Sequence, residues 1–123
     1  MILSSAFLAA IIALESNGNR FAVGDQQRSL GALQIQASVV HDVNRVYGYR
    51  FTHQDAFDPI RSKVIMASYL NHYCTRERLG REPTEEDAAR IWSGGPEGWR
   101  RKSTLPYLRK YRVYRARFSA SGY

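Results

Sequence analysis

Cysteine is almost missing from this chain of 123 residues: Cys74 stands alone, so no intramolecular disulfide can form and stability has to come from packing. Cys74 sits within an apolar helical pattern, where a buried and inert thiol is expected. No apolar run reaches the roughly eighteen residues of a membrane span. The N-terminal MILSSAFLAAIIAL has no basic stretch before it and meets Glu15 where a small-residue cleavage site would belong, so it reads as a core helix and not as an export signal. His41, His53 and His72 lack metal-ligand spacing, and no phosphate-binding glycine loop of the Gly-x-x-x-x-Gly-Lys-Ser/Thr type occurs; no metal or cofactor is expected. Internal repeats, linkers and low-complexity stretches are missing too, which leaves residues 1–123 as one expected domain.

Acid is missing from the last part of the chain. Residues 1–98 hold ten Lys/Arg against eleven Asp/Glu, whereas residues 99–123 hold eight Lys/Arg and no carboxylate, so the net charge of +7 is a C-terminal property. A field of that sign attracts polyanions: nucleic acid, anionic lipid or the acidic polymers of a bacterial envelope.

What is present is a series of helix signals in a composition, 44% hydrophobic and 24% charged, that is ordinary for a globular protein. The first helix is expected from a Ser4 or Ser5 cap to Ser16, apolar on most of its surface and stopped by Asn17-Gly18. Residues 19–36 read as a loop or small β-hairpin. A second helix is expected over Ser38–Tyr47, ending at Gly48. A long one follows from the Asp58-Pro59 start to Gly80, and another from Pro83-Thr84 to about Trp92, with acids in its first turn. The last runs from Ser103 to about Ala120, with Leu105, Leu108, Tyr111, Tyr114 and Phe118 at helical spacing and basic residues between them. The fold class is mainly α: a buried central helix with about four further helices around it and a small hairpin or loop near residues 19–36.

Glu15 is the carboxylate out of place. It closes a stretch as apolar as Phe7–Leu14, where desolvation and the negative end of the helix dipole both favour the protonated form. A carboxyl that keeps its proton near neutral pH is what glycosidic bond cleavage requires, because the leaving oxygen must be protonated as the bond breaks. Taken by itself, Glu15 reads sooner as the solvated end of a buried helix than as a catalytic acid.

The accompanying motifs decide how the residue is read. Glu15-Ser16, then Gly31-Ala32-Leu33-Gln34-Ile35, then Ile91-Trp92-Ser93-Gly94-Gly95-Pro96 resemble the lysozyme-like superfamily, specifically its transglycosylase-type domains. Within that group the Asp25 before the Gly-x-x-Gln segment, and Gly94-Gly95-Pro96-Glu97-Gly98 followed by Arg100-Arg101-Lys102-Ser103-Thr104, look closest to the invertebrate-type lysozymes. Two departures stand out: those lysozymes are rich in disulfides, and the Asn usual in the aromatic turn is Ser93 here.

The resemblance implies an α+β lysozyme-like fold and cleavage of the β-1,4 bond between N-acetylmuramic acid and N-acetylglucosamine in peptidoglycan, by a lytic transglycosylase or muramidase with Glu15 as general acid/base. It places Asp25 as the second carboxylate, the alternative being an ordinary turn residue. It implies substrate contacts from Ser16, Gln34, Trp92, Ser93, Gly94, Gly95 and Trp99. Beside these stand plainer readings: Ser16 bonding local backbone, Gln34 as a surface amide, Trp92 as core. The expected partners are peptidoglycan strands, with the basic helix holding anionic wall polymers, for a monomer acting in the periplasm or outside the cell. Two rivals remain at this stage. Arg109-Lys110-Tyr111-Arg112-Val113-Tyr114-Arg115 interleaves cations and aromatics as a nucleic-acid binder would, and a wall-binding module without catalysis would keep the same scaffold.

Overall fold

The structure, a computed structural model, describes residues 3–120. These fall into two compact units, one within Met1–Leu14 and Leu70–Tyr123, the other within Glu15–Tyr69. Met1 and Ile2 of the apolar N-terminal run lie outside the described residues, as do residues 121–123 of the basic tail.

Helix α1 (Ser5–Ser16) begins as the sequence predicts, with the Ser4 hydroxyl accepting the Phe7 N–H at 3.0 Å. Ala6, Phe7, Ala10 and Ile11 are buried, and no side chain from Ala6 to Ser16 is fully exposed. The helix stops where Asn17 and Gly18 turn left-handed, at φ 53° and 84°.

In the Glu15–Tyr69 unit, the region expected to be a loop or hairpin is a three-stranded antiparallel sheet in the order β1 (Val23–Gly24), β2 (Ser29–Leu30), β3 (Ile35–Gln36). Val23 pairs with Leu30, and Leu30 with Ile35. Strands of two residues carry no alternation long enough to be read, so the third escaped the sequence pattern. Between β2 and β3, Gly31 (φ 83°) passes so close to the Ala56 carbonyl that a Cβ would collide with it. Only glycine meets both demands. Helix α2 (Ala37–Tyr47) starts one residue before the expected Ser38, buries Val40 and Val43, and ends at a left-handed Gly48 whose N–H donates to the Asn44 carbonyl at 2.8 Å.

A 3-10 turn over His53–Phe57, which the sequence reading left out, leads to α3 (Pro59–Tyr73). There Asp58 Oδ1 accepts the N–H groups of Ile60 and Arg61, both at 2.9 Å, the predicted cap. This helix does not run on to Gly80 as expected. Thr75 takes an extended backbone and its hydroxyl accepts the Arg78 N–H at 3.2 Å, so it starts a separate short helix, α4 (Arg76–Leu79). A threonine that satisfies a helix start cannot also continue the preceding helix. Cys74, in the break, is buried, and burial pushes its thiol up to about 11.

The other unit is built on α5 (Glu85–Gly94) and α6 (Leu105–Ala120), joined by 3-10 turns at Gly98–Arg100 and Lys102–Thr104. Helix α5 passes the expected end near Trp92 by two residues. Gly94 stays helical with its Cα against the Thr104 methyl, and the left-handed Gly95 (φ 86°) ends the helix. Acids of its first turn fasten α6: Glu86 accepts two hydrogen bonds from Arg112 at 2.8 and 2.9 Å, and Glu85 accepts from Tyr111 at 3.1 Å and Arg115 at 3.2 Å. Glu85 also accepts from the Ser4 hydroxyl at 3.1 Å, while the Phe7 and Tyr111 rings meet with centroids 5.7 Å apart. Leu108 and Tyr111 lie on the buried face of α6, but Leu105, expected on the same stripe, is exposed.

Candidate active site

Glu15 lies half-buried in the last turn of α1. The adjacent Ser16 hydroxyl donates to the Ala32 carbonyl at 2.8 Å and so ties the end of the helix to the Gly31–Gln34 turn, sixteen residues further along.

The turn closes on itself. Gln34 Nε2 donates to the carbonyls of Gly31 (2.9 Å) and Ala22 (3.3 Å), and the Gly31 N–H donates to Ala22 at 2.8 Å. Gln34 Oε1 lies where a Cβ on residue 24 would stand, so Gly24 admits the amide. The side chain of Gln34 therefore holds the shape of the loop that Ser16 is bonded to. Gly24 and Ala22, which the sequence reading did not connect with Gln34, belong to the same knot.

Asp25 sits at the head of the β1–β2 turn with φ 51°, followed by Gln26 at 57° and Gln27 at 72°. Its Oδ2 accepts the hydroxyl hydrogen of the buried Ser29 at 2.7 Å, which ties the carboxylate to β2. Among the described residues, the non-glycine positions with positive φ are Asn17, Asp25, Gln26, Gln27 and Gln34. Each such residue costs about 1–2 kcal/mol, and all five fall in the short segment that carries the predicted site. Strain of this kind persists where surrounding structure imposes it, and it gathers at functional sites. No composition signal announces it, because Gln is not a residue that favours left-handed backbone.

The same unit contains a groove of about 440 Å³ lined by Gln27, Arg28, Gln36, Ala37, Ser38 and His53. His53 is held there by a 2.7 Å hydrogen bond between its Nε2 and the Ile35 carbonyl. None of these residues is among the site residues that the sequence suggests. Gln36 and Ser38 flank the β3–α2 junction, a boundary that becomes visible only with the strands in place.

The remaining predicted contacts lie in the other unit. Trp92 is half-buried on α5, and Ser93 and Gly94 are exposed at its end. Trp99 is half-buried in the 3-10 turn after Gly98. The Arg81 and Arg100 guanidiniums lie 5.8 and 5.4 Å from its ring centre, and its Nε1 is buried without a hydrogen-bond partner. Glu97 bonds both Arg78, at 2.5 Å, and Arg100, which holds its carboxyl below the usual range.

The Transglycosylase SLT domain family model matches residues 2–82, about two thirds of the chain. The chain belongs to the SLT transglycosylase family. Glu15, Ser16, Asp25 and Gln34 fall inside the stretch that matches the SLT domain, and Trp92, Ser93, Gly94, Gly95 and Trp99 fall beyond it. A chain of the crystal structure of Aeromonas hydrophila PliI in complex with Meretrix lusoria lysozyme shares the architecture at a TM-score of 0.76 and 22% identity, over 90% of this chain and 89% of that one. The fold of this SLT-family chain is thus the α+β lysozyme-like one. No curated protein sequence matches it.

The Ser16–Ala32 bond is the link between Glu15 and its loop, and its removal has a measurable expected cost. Ser16→Ala leaves a half-buried carbonyl unpaired and lowers stability by about 1 kcal/mol in urea unfolding. If Glu15 is the acid of a glycosidic cleavage, the same variant is expected to lower that cleavage by up to about a hundredfold as Glu15 loses its placement. Unchanged cleavage by a folded variant would remove Ser16 from the positioning role.

Proposed function

We propose that this protein cleaves the β-1,4 bond between N-acetylmuramic acid and N-acetylglucosamine in bacterial peptidoglycan, with Glu15 as general acid and then general base. The observation that carries this reading is the position of a half-buried Glu at the end of an apolar helix, within the SLT match, and bonded through its neighbour Ser16 to a strained, self-locked Gly-x-x-Gln loop. A protonated Glu15 gives its hydrogen to the leaving oxygen, and the carboxylate then takes one from the incoming hydroxyl. If that hydroxyl is water's, the product has a reducing end; if it is the sugar's own, an anhydro ring closes.

Asp25 separates the two outcomes. A hydrolase that uses it as nucleophile or ion stabiliser loses about 10²-fold or more in rate on Asp25→Asn, while a transglycosylase running on Glu15 alone keeps most of its rate. Digestion of purified sacculi, with the fragments resolved as anhydro or reducing, reads both the reaction type and the role of Asp25.

The match to one chain along 90% of the length supports a single lysozyme-like domain. Work on the cell wall implies a periplasmic or extracellular place of action, and among the described residues no helix is long and apolar enough to cross a membrane. The basic C-terminal helix suits anionic wall polymers. Arg112 and Arg115 are engaged with Glu86 and Glu85, and the exposed Arg101, Lys102, Arg109 and Lys110 form no ion pair with an acid among the described residues. Their attraction for polyanions weakens with salt.

A further inference from the structure

Outside the residues assigned to cleavage, the Glu15–Tyr69 unit carries an exposed aromatic cluster on the loop that leaves α2. Tyr47 and Tyr49, either side of the left-handed Gly48, stack with ring centroids 5.7 Å apart and planes 17° from parallel. Phe51 meets Tyr49 edge-on at 5.3 Å. Both tyrosines are 41% exposed. A contiguous aromatic surface open to water is uncommon in a folded chain and marks a place of contact.

The cluster is held stiffly. Asn44 clasps the loop, accepting the Phe51 N–H at 3.0 Å and donating to the Phe51 carbonyl at 2.9 Å. Asp55 accepts the Thr52 N–H at 2.8 Å and pairs with Arg61 at 2.9 Å. Beside the rings runs a groove of about 380 Å³ lined by Tyr49, Arg50, Phe51, Asp55 and Arg61. That is within the range of small-ligand sites, about 300–1,000 Å³.

We propose that Tyr47, Tyr49 and Phe51, with Arg50, Asp55 and Arg61, form an accessory site for a stretch of glycan strand freed of its stem peptides, whose N-acetylmuramic acid carries a free lactyl carboxylate, a proposal that rests on the peptidoglycan reading above. The ring faces suit the apolar face of a pyranose. Two guanidiniums against one carboxylate leave the groove positive, and Arg50, which has no acidic partner among the described residues, matches an anionic substituent. Asp55 accepts hydrogens from sugar hydroxyls. The same carboxylate repels phosphate, and a single excess cation falls short of the basic track that single-stranded nucleic acid needs. Such a site keeps the strand on the enzyme between cleavage events and raises its effective concentration at Glu15.

The test is a titration of ¹⁵N-labelled Glu15→Gln protein with the disaccharide N-acetylglucosaminyl-N-acetylmuramic acid, in parallel with neutral chitobiose and with a short single-stranded oligodeoxynucleotide. The expected result is shifted resonances at Tyr47–Phe51 with the acidic disaccharide and weaker binding of chitobiose there. Tyr49→Ala and Arg50→Gln should each weaken the acidic disaccharide about tenfold at this patch, a loss of about 1.4 kcal/mol. Arg50 is exposed and forms no ion pair among the described residues, so Arg50→Gln decides the matter should Tyr49→Ala fail to fold. A patch silent to the disaccharide, or responding to the oligonucleotide alone, overturns the proposal. Failure of the cleavage reading shows separately, as undiminished cleavage by Glu15→Gln, whatever these resonances do.

Discussion

Glu15→Gln is expected to lower the rate of the proposed peptidoglycan cleavage by about 10²- to 10⁴-fold while moving the urea midpoint little, the signature of a lost general acid in an intact fold. Glutamine fills the same space and can keep a hydrogen bond, but it has no proton to give to a leaving oxygen. The residue is half-buried at the end of α1, and glutamine, of the same size and polar, imposes no new burial cost there. Fragment analysis of digested sacculi measures the rate. Cleavage by the variant within about threefold of the parent would remove Glu15 from the reaction and take the enzymatic reading with it, because the remaining candidate, Asp25, lies exposed in a turn and bonded to Ser29.

Much of this was legible in the sequence because the helix signals are chemical and local. Ser4, Asp58 and Thr84 each satisfy a helix start through a side-chain oxygen, and Gly18, Gly48 and Gly95 each mark a left-handed exit or the step just past one. Where two local signals competed, the sequence reading took the wrong one. Thr75 reads as one more residue in an apolar helical pattern, yet its hydroxyl finds the Arg78 N–H and divides the helix. The sheet failed for a different reason. Its strands are two residues long, and what fixes them is the Gln34 amide bonding to Ala22, twelve residues away, and Gly31 lying against Ala56. Tertiary contacts of that kind leave no periodicity.

The candidate site divides along the same line. The motif implies that Glu15 and Gln34 share one neighbourhood, and the Ser16–Ala32 bond ties the end of α1 to the turn that carries Gln34. Gln34, expected to face a sugar, engages its amide nitrogen with the loop's own carbonyls, so its first effect is on loop shape. The groove residues Arg28, Gln36, Ser38 and His53 were invisible in sequence, since nothing local distinguishes them from surface polar residues until β3 and α2 bring them together. The charge pattern was read correctly in sum but not in use. Part of the basic tail is structural, with Arg112 and Arg115 tying α6 to the acids that open α5.

The stability of the protein at low pH turns on Asp87. Its carboxylate is buried, accepts two hydrogen bonds from Arg81 at 2.6 and 2.8 Å, and completes a capping box with the Thr84 N–H at 2.8 Å and the Thr84 hydroxyl at 3.0 Å. Burial pushes its pKa up, but the Arg81 and Thr84 hydrogen bonds outweigh burial and leave it below the ordinary aspartate value. A carboxyl with a lower pKa folded than unfolded contributes stability that is fully present above the unfolded value, near 3.9, and is lost as pH falls through the folded one. Glu86 and Glu97 are lowered by arginine partners in the same sense, so the acid limb is shared; Asp87 is the buried member of the set. Asp87→Ala should cost about 3 kcal/mol at neutral pH, from the lost cap (about 1) and the lost charge-assisted bonds (about 2). Asp87→Asn keeps one acceptor and cannot ionise, so its urea midpoint should fall less steeply than the parent's between about pH 5 and pH 3. Parallel acid limbs for Asp87→Asn and the parent would mean that the Arg81–Asp87 pair contributes nothing to folding that depends on its charge.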